Sequence, residues 1–184
     1  MVAMRASSSN ILWVSIAFAG LALAAEPTGV WLDVPFVKQH GNGCGAACIS
    51  MVMRYWSGHG GPPGEDVATI QRALYSKEAK GIFAAEMKAY LAEAGFRTFD
   101  FSGTWADLRE HLSKGRPLIV CLGEQGRRGP LHYVVVAGLD WRQDLVMVND
   151  PARRKLLKID RATFERDWEI AGRWTLLALP REAA

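Results

Sequence analysis

What this chain of 184 residues lacks narrows its function before any motif is read. The net charge is only +3, with 22% charged residues, too small a positive excess to mark nucleic acid as a partner. Its one basic cluster, Arg153, Arg154, Lys155 and Lys158, reads as a solvated strand edge. Internal repeats and low-complexity tracts are absent. With 49% hydrophobic residues, the length suits one domain that buries a core. Cysteine is scarce. The chain has Cys44, Cys48 and Cys121, an odd set that leaves at least one thiol without an intrachain partner. No second Cys or His pair complements His40, Cys44 and Cys48, which argues against a tetrahedral zinc site. Nothing in the residues requires a cofactor.

A run long enough to cross a bilayer is also missing. The longest apolar stretch, Ile11 to Ala24, is about 14 residues, short of the length a span needs. It follows Arg5 and closes with Ala22-Leu23-Ala24, the pattern of a secretory signal cleaved after Ala24 or Ala25. An uncleaved anchor is the alternative. The expectation is a leader over residues 1–25 and an exported domain over 26–184, periplasmic or extracellular, monomeric and not membrane-inserted once the leader is gone. Such compartments permit disulfides. Even so, Cys48, one helical turn from Cys44, and Cys121, inside the apolar run "PLIVCL", read best as small buried hydrophobes.

The patterns present divide the chain. Val30 to Gln39 is extended, with Pro35 marking an irregular segment. "CGAACISMVMRYWSG" is small and apolar throughout, a buried helix beginning at or just before Cys44. Amphipathic helices are predicted over Glu65–Ser76, Ile82–Phe96 with Gly95 as its stop, and Thr104–Gly115, the last capped by Thr104 and ended by Gly115. Thereafter apolar strands dominate: "PLIVCLG", "LHYVVVAGL", "LVMVND", "RKLLKID" and "RWTLLALP". A polar loop, Glu124–Pro130 with Arg127 and Arg128, separates the first two, and a helix, Asp160–Trp168, the last two. Helices first and antiparallel strands after predict an α+β fold, its helical half packed against the sheet.

Within this frame Cys44 stands out. A helix amino terminus carries partial positive charge and unpaired amide donors, which favour a thiolate and can hold an oxyanion. Gly43 and Gly45 are expected to leave the sulfur open and free the backbone, although a glycine-flanked cysteine alone decides nothing. A thiol nucleophile requires an imidazole. His40 and His59 fall in irregular loops, and His111 on a polar helix face. His132 opens a strand, where a rigid sheet holds it at the rim. If the following hairpin turns about Arg142, paired residue numbers sum to about 284. That places Asp150 one diagonal step from His132 on the same face, and Asn149 on the other. Asp150 is thus the better orienting group, with a turn residue before Pro151 as the plainer alternative.

As a set, "VPFVKQHGNGCGAACISMVMRYW", "GRPLIVCL", "LHYVVVAGL" and "LVMVNDP" resemble the bacteriocin-processing cysteine peptidases, family thirty-nine of cysteine peptidases. These are papain-like enzymes that cut after double-glycine leaders. The resemblance spans roughly Val34 to Leu179. It implies a papain-like fold, a peptide substrate, Cys44 as nucleophile, His132 as base and acid, Asp150 as orienting carboxylate and Gln39 as side-chain oxyanion donor. A neutral amide five residues before the sulfur suits that last role. The family's exporter-linked members are fused to a transporter, whereas this chain reads as a standalone exported member. Two rivals share the residues: a silent peptide-binding module, and an acyltransferase using the same thioester.

Overall fold

The computed structural model describes residues 28–123 and 131–181. The expected leader and the Glu124–Pro130 loop lie outside these residues. In chain order the elements are β1 (Gly29–Trp31), α1 (Cys44–Ser57), α2 (Val67–Leu74), α3 (Ala84–Glu93), β2 (Phe96–Ser102) and α4 (Trp105–Ser113). They continue with β3 (Leu118–Leu122), β4 (His132–Asp140), β5 (Leu145–Asn149), β6 (Leu157–Asp160), α5 (Arg161–Ile170) and β7 (Trp174–Pro180). The seven strands form one sheet in the order β2-β7-β3-β4-β5-β6, with β1 pairing with β4 beyond the end of β3. Every pairing is antiparallel, so the fold is α+β as the sequence predicts.

Strand alternation sorts the core into two layers. Ile119, Val135, Ala137, Leu176 and Ala178 pack with α1, α2 and α3 through Ile49, Met51, Ile70, Met87 and Leu91. The intervening Leu118, Val120, Val134, Val136 and Leu177 pack with α4 and α5 through Leu108, Leu112, Phe164 and Trp168. Of the helices expected in the N-terminal half, α1, α2 and α3 cover one sheet face, whereas α4 lies on the other with α5. Each fully buried large apolar side chain contributes roughly 1.5–3 kcal/mol relative to exposure. α1 is buried nearly all round, and its small residues Gly45, Ala46, Ala47 and Cys48 let it seat closely against the sheet. Among the described residues no helix is long and apolar enough to cross a membrane.

Local chemistry sets the element boundaries. Thr104 accepts from the Asp107 N–H at 3.2 Å while the Asp107 carboxylate accepts from the Thr104 N–H at 2.8 Å, a reciprocal capping box. Asp66 and Asp160 cap α2 and α5 in the same sense, accepting from Ala68 N–H and Thr163 N–H. The helix predicted over Ile82–Phe96 ends at Glu93, and Gly95 stops it with a positive φ of 93°, as expected. What differs is Phe96, which begins β2. Its ladder partner is β7, with Phe96 opposite Pro180, a contact too distant in sequence for local pattern to reveal.

Candidate active site

The Cys44 side chain sits at the first residue of α1. The N-cap, Gly43, offers no side-chain hydrogen bond and the first turn holds no acid, so the helix's free amides and positive end are left to the sulfur. The flanking glycines serve packing, and the backbone freedom expected of them is not used. Neither has a positive φ. A β-carbon on Gly43 would lie 2.9 Å from Gln71 Oε1 and from the His40 carbonyl, and one on Gly45 would lie 3.2 Å from Ile82 Cβ. Their smallness lets α1 approach its neighbours.

His132 is the first residue of β4, at the sheet's rim. Its Nε2 donates to Asp150 Oδ1 at 2.8 Å, and its ring interacts with the Cys44 sulfur closely enough to shift both groups, which leaves Nδ1 as the nitrogen for the sulfur. Asp150 is nearly buried, at 5% exposure. The same Oδ1 accepts the Ala152 N–H at 2.9 Å, and Oδ2 faces Arg153 Nε at 3.6 Å. Asn149 points to the other face. Its Nδ2 donates to the Val34 carbonyl at 3.0 Å and its Oδ1 accepts the Leu156 N–H at 3.0 Å, pinning the segment that leads to Gln39.

The register that separates Asp150 from Asn149 arises in an unexpected way. The turn is centred between Arg142 and Gln143, because Asp140 pairs with Leu145, Leu139 with Val146 and Gly138 with Met147. Continued unchanged, that register would put Asn149 on the His132 face. A β-bulge at Ala137 shifts it by one, so that Val136 faces Val148 and Val135 faces Asn149. β1 accommodates the bulge: the Leu32 N–H donates to the Ala137 carbonyl at 2.8 Å. A β-carbon on Gly138 would meet the Val30 carbonyl and Met147 Cε at 2.7 Å. The sequence-stated sum therefore holds at the strand mouth and fails by one at the turn.

The electrostatics favour separated charges. Burial pushes the Cys44 thiol up. The His132 hydrogen bond, the Tyr133 N–H, the His132 charge and the Gly45 N–H outweigh it and hold the thiol below its ordinary value. Burial likewise opposes the imidazolium, but Asp150 and Cys44 raise His132 to about 9. Burial pushes the Asp150 carboxyl up, yet His132, the Ala152 N–H and Arg153 bring it below the usual value. The three groups are thus shifted together toward thiolate, imidazolium and carboxylate. Cys48 and Cys121 differ. Burial lifts Cys48 far above the ordinary thiol value and Cys121 to about 12, as expected of core residues.

Gln39 and Cys44 share a cavity of about 490 Å³ whose walls include Ile82, Phe83, Leu131, His132 and Tyr133. The Gln39 N–H donates to the Pro151 carbonyl at 3.0 Å, tying it to the residue after Asp150. Its side-chain Nε2 donates to the Gly41 carbonyl at 2.6 Å, which occupies one of two amide hydrogens. The opposite wall is a tight excursion, Ser76 to Gly81, closed by mutual backbone bonds of 2.8 and 3.2 Å. It delivers Ile82 and Phe83 to the start of α3. Sequence reasoning missed these two and the Tyr133 N–H, because no local pattern reports which distant wall faces a sulfur.

The remaining histidines stand apart. His40 is exposed, and His59 Nδ1 lies 2.7 Å from the Tyr55 carbonyl. His111, expected on a solvated face, is partly buried, with Nδ1 enclosed and unpartnered and its ring centroid 6.1 Å from that of Phe101. The first strand of the edge, β2, covers it, and that strand was not foreseen.

Comparison with known proteins meets this geometry at several points. Solved structures with the same fold include the peptidase domain of Streptococcus ComA, a bi-functional ABC transporter involved in a quorum-sensing pathway. It matches at TM-score 0.64 and 19% identity, over 79% of this chain and 98% of that one. A C39-like peptidase from Bacillus anthracis matches at 0.63 and 17%, over 84% and 99%. A double glycine motif protease from an AMS/PCAT transporter, solved with its leader peptide, matches at 0.64 and 20%, over 83% and 95%. A search of curated proteins returns no match. The model of the Peptidase_C39 like family matches residues 31–175, a span that takes in Gln39, Cys44, His132 and Asp150, and the chain belongs to that family.

Proposed function

We propose that the chain is a cysteine peptidase that hydrolyses peptide bonds with Cys44, His132 and Asp150, aided by Gln39. The observation that carries this reading is the unbroken relay from the Cys44 sulfur through His132 to Asp150, with its charge-separating electrostatics, at the wall of an open cavity. The Cys44 thiolate attacks the substrate carbonyl carbon, and the carbonyl electron pair moves onto oxygen. The free Gln39 side-chain N–H and the Cys44 backbone N–H receive that oxyanion, a contribution of roughly 10²–10³ in rate per donor. His132 gives its proton to the leaving amine, the C–N bond breaks, and an acyl thioester remains. Neutral His132 then takes a proton from water, hydroxide adds to the thioester, and the C–S bond breaks. Thiolate and imidazolium are restored. Asp150 holds the ring's tautomer throughout.

A peptide substrate agrees with the family and with the leader peptide bound by the AMS/PCAT protease. Export agrees with Arg5 and the apolar run that follows it. Profiling a peptide library with the wild type and with Cys44→Ala tests the reading. Cleavage by the wild type alone is expected. Cleavage that survives the substitution would overturn the mechanism, and tight peptide binding by both forms without cleavage would make the protein a binding module.

A further inference from the structure

We infer that Gly41 is a positioning residue for the oxyanion donor: its carbonyl holds the Gln39 amide in the orientation that turns an N–H toward the Cys44 cavity. The inference rests on the role proposed for Gln39. The Gln39 Nε2 lies 2.6 Å from the Gly41 carbonyl oxygen. Reversing the amide would bring two acceptor oxygens to that distance, so the carbonyl decides which end is nitrogen. It does so against a competing demand, since Gln39 Oε1 is buried with no hydrogen-bond partner. A buried, unmade hydrogen bond opposes folding and persists only where another interaction overrides it. Freed from Gly41, the amide has every reason to turn and satisfy that oxygen.

The carbonyl's direction depends on a backbone conformation that suits glycine. Gly41 has φ +53°, in the left-handed region, and a β-carbon there would meet nothing within 4 Å. The residue is exposed. Packing does not exclude a side chain, but backbone strain does, most of all for a β-branched one. Asparagine tolerates this region and glycine adopts it freely. Gly41→Val and Gly41→Asn therefore separate conformation from the mere presence of a side chain.

Two small probes separate this role from a general disturbance of the site. p-Nitrophenyl acetate acylates Cys44 through an oxyanion: the sulfur bonds to the carbonyl carbon and p-nitrophenolate leaves. Iodoacetamide alkylates the same sulfur at a saturated carbon, expelling iodide with no oxyanion formed. Removing the donor outright, in Gln39→Ala, is expected to slow acylation about 10²-fold. Gly41→Val should slow acylation about tenfold, a partial loss of the same effect, while alkylation of Cys44 and its pH profile stay as in the wild type. Gly41→Asn should recover most of the acylation rate, and Gly41→Val should cost nothing more in a Gln39→Ala background. If Gln39→Ala acylates like the wild type, the role of Gln39 itself falls. If Gln39→Ala is slow but Gly41→Val is not, if the two effects multiply, if Gly41→Asn is as slow as Gly41→Val, or if alkylation slows in step, Gly41 does not act through Gln39.

Discussion

Cys44 and Cys48 lie one helical turn apart on α1, yet their thiols are driven in opposite directions. Both are penalised for burying charge. Cys44 opens at the rim onto an imidazole and two backbone amides, and these reverse the penalty. Cys48 has only apolar neighbours and like charges, and nothing offsets its burial. A nucleophile is therefore made by the donors that converge on it. Where the residue stands on the helix decides whether such donors reach it.

The sharpest way to break the contrast is His132→Ala. It removes the first of the groups that oppose burial and should return Cys44 toward the behaviour of Cys48. Peptide cleavage should fall by about 10³-fold or more. Iodoacetamide alkylation at mildly acidic pH, measured by mass spectrometry of the Cys44 peptide, should lose its advantage over an ordinary thiol. Alkylation equal to the wild type would mean that the helix terminus alone sustains the thiolate.

Asp150→Asn probes the next link. The amide can still accept from His132, as in the cysteine peptidases whose third member is asparagine, so activity should drop by only about tenfold. The carboxylate is the first of the groups that raise His132 to about 9. With the imidazolium as proton donor in the proposed mechanism, the wild-type rate should decline as pH rises through that value. In the variant the decline should begin at lower pH, read from the alkaline limb of the rate profile. An unmoved limb would exclude Asp150 as the group that sets it.

The smallest effect belongs to the interior. Cys48→Ala should cost roughly 1 kcal/mol in denaturant unfolding and leave the alkylation rate of Cys44 and its pH dependence unchanged. A shifted profile would show that the two thiols are less independent than their surroundings suggest.

Much of this site was legible because its chemistry is local. A cysteine at the start of an apolar helix, a histidine at the start of an apolar strand and an acid before Pro151 each announce themselves through their neighbours. Alternation along one hairpin sufficed to prefer Asp150 over Asn149. Features that depend on distant partners stayed hidden. β2 carries exposed polar positions such as Arg97 and Asp100, and its ladder needs residues about eighty positions away. Gly43 and Gly45 read as openings around the sulfur, and the packing they also permit against Gln71, Ile82 and Met87 involves residues far away in sequence. Even the hairpin was read correctly only at one end.

That hairpin resembles a message read in two frames. From the turn as far as Gly138 the strands keep one frame, and at Ala137 they slip by a residue into the other. The dipeptide Asn149-Asp150 sits beyond the slip, so the frame alone determines which of the two meets the histidine and which locks the chain at Val34. A hairpin of the same length that ran without the bulge would keep the turn's frame to its mouth, and would need the same two letters in reverse order, Asp before Asn, to build the same site. An aligned column of residues would record this as two substitutions with no gap, although geometrically it is one slip of the frame.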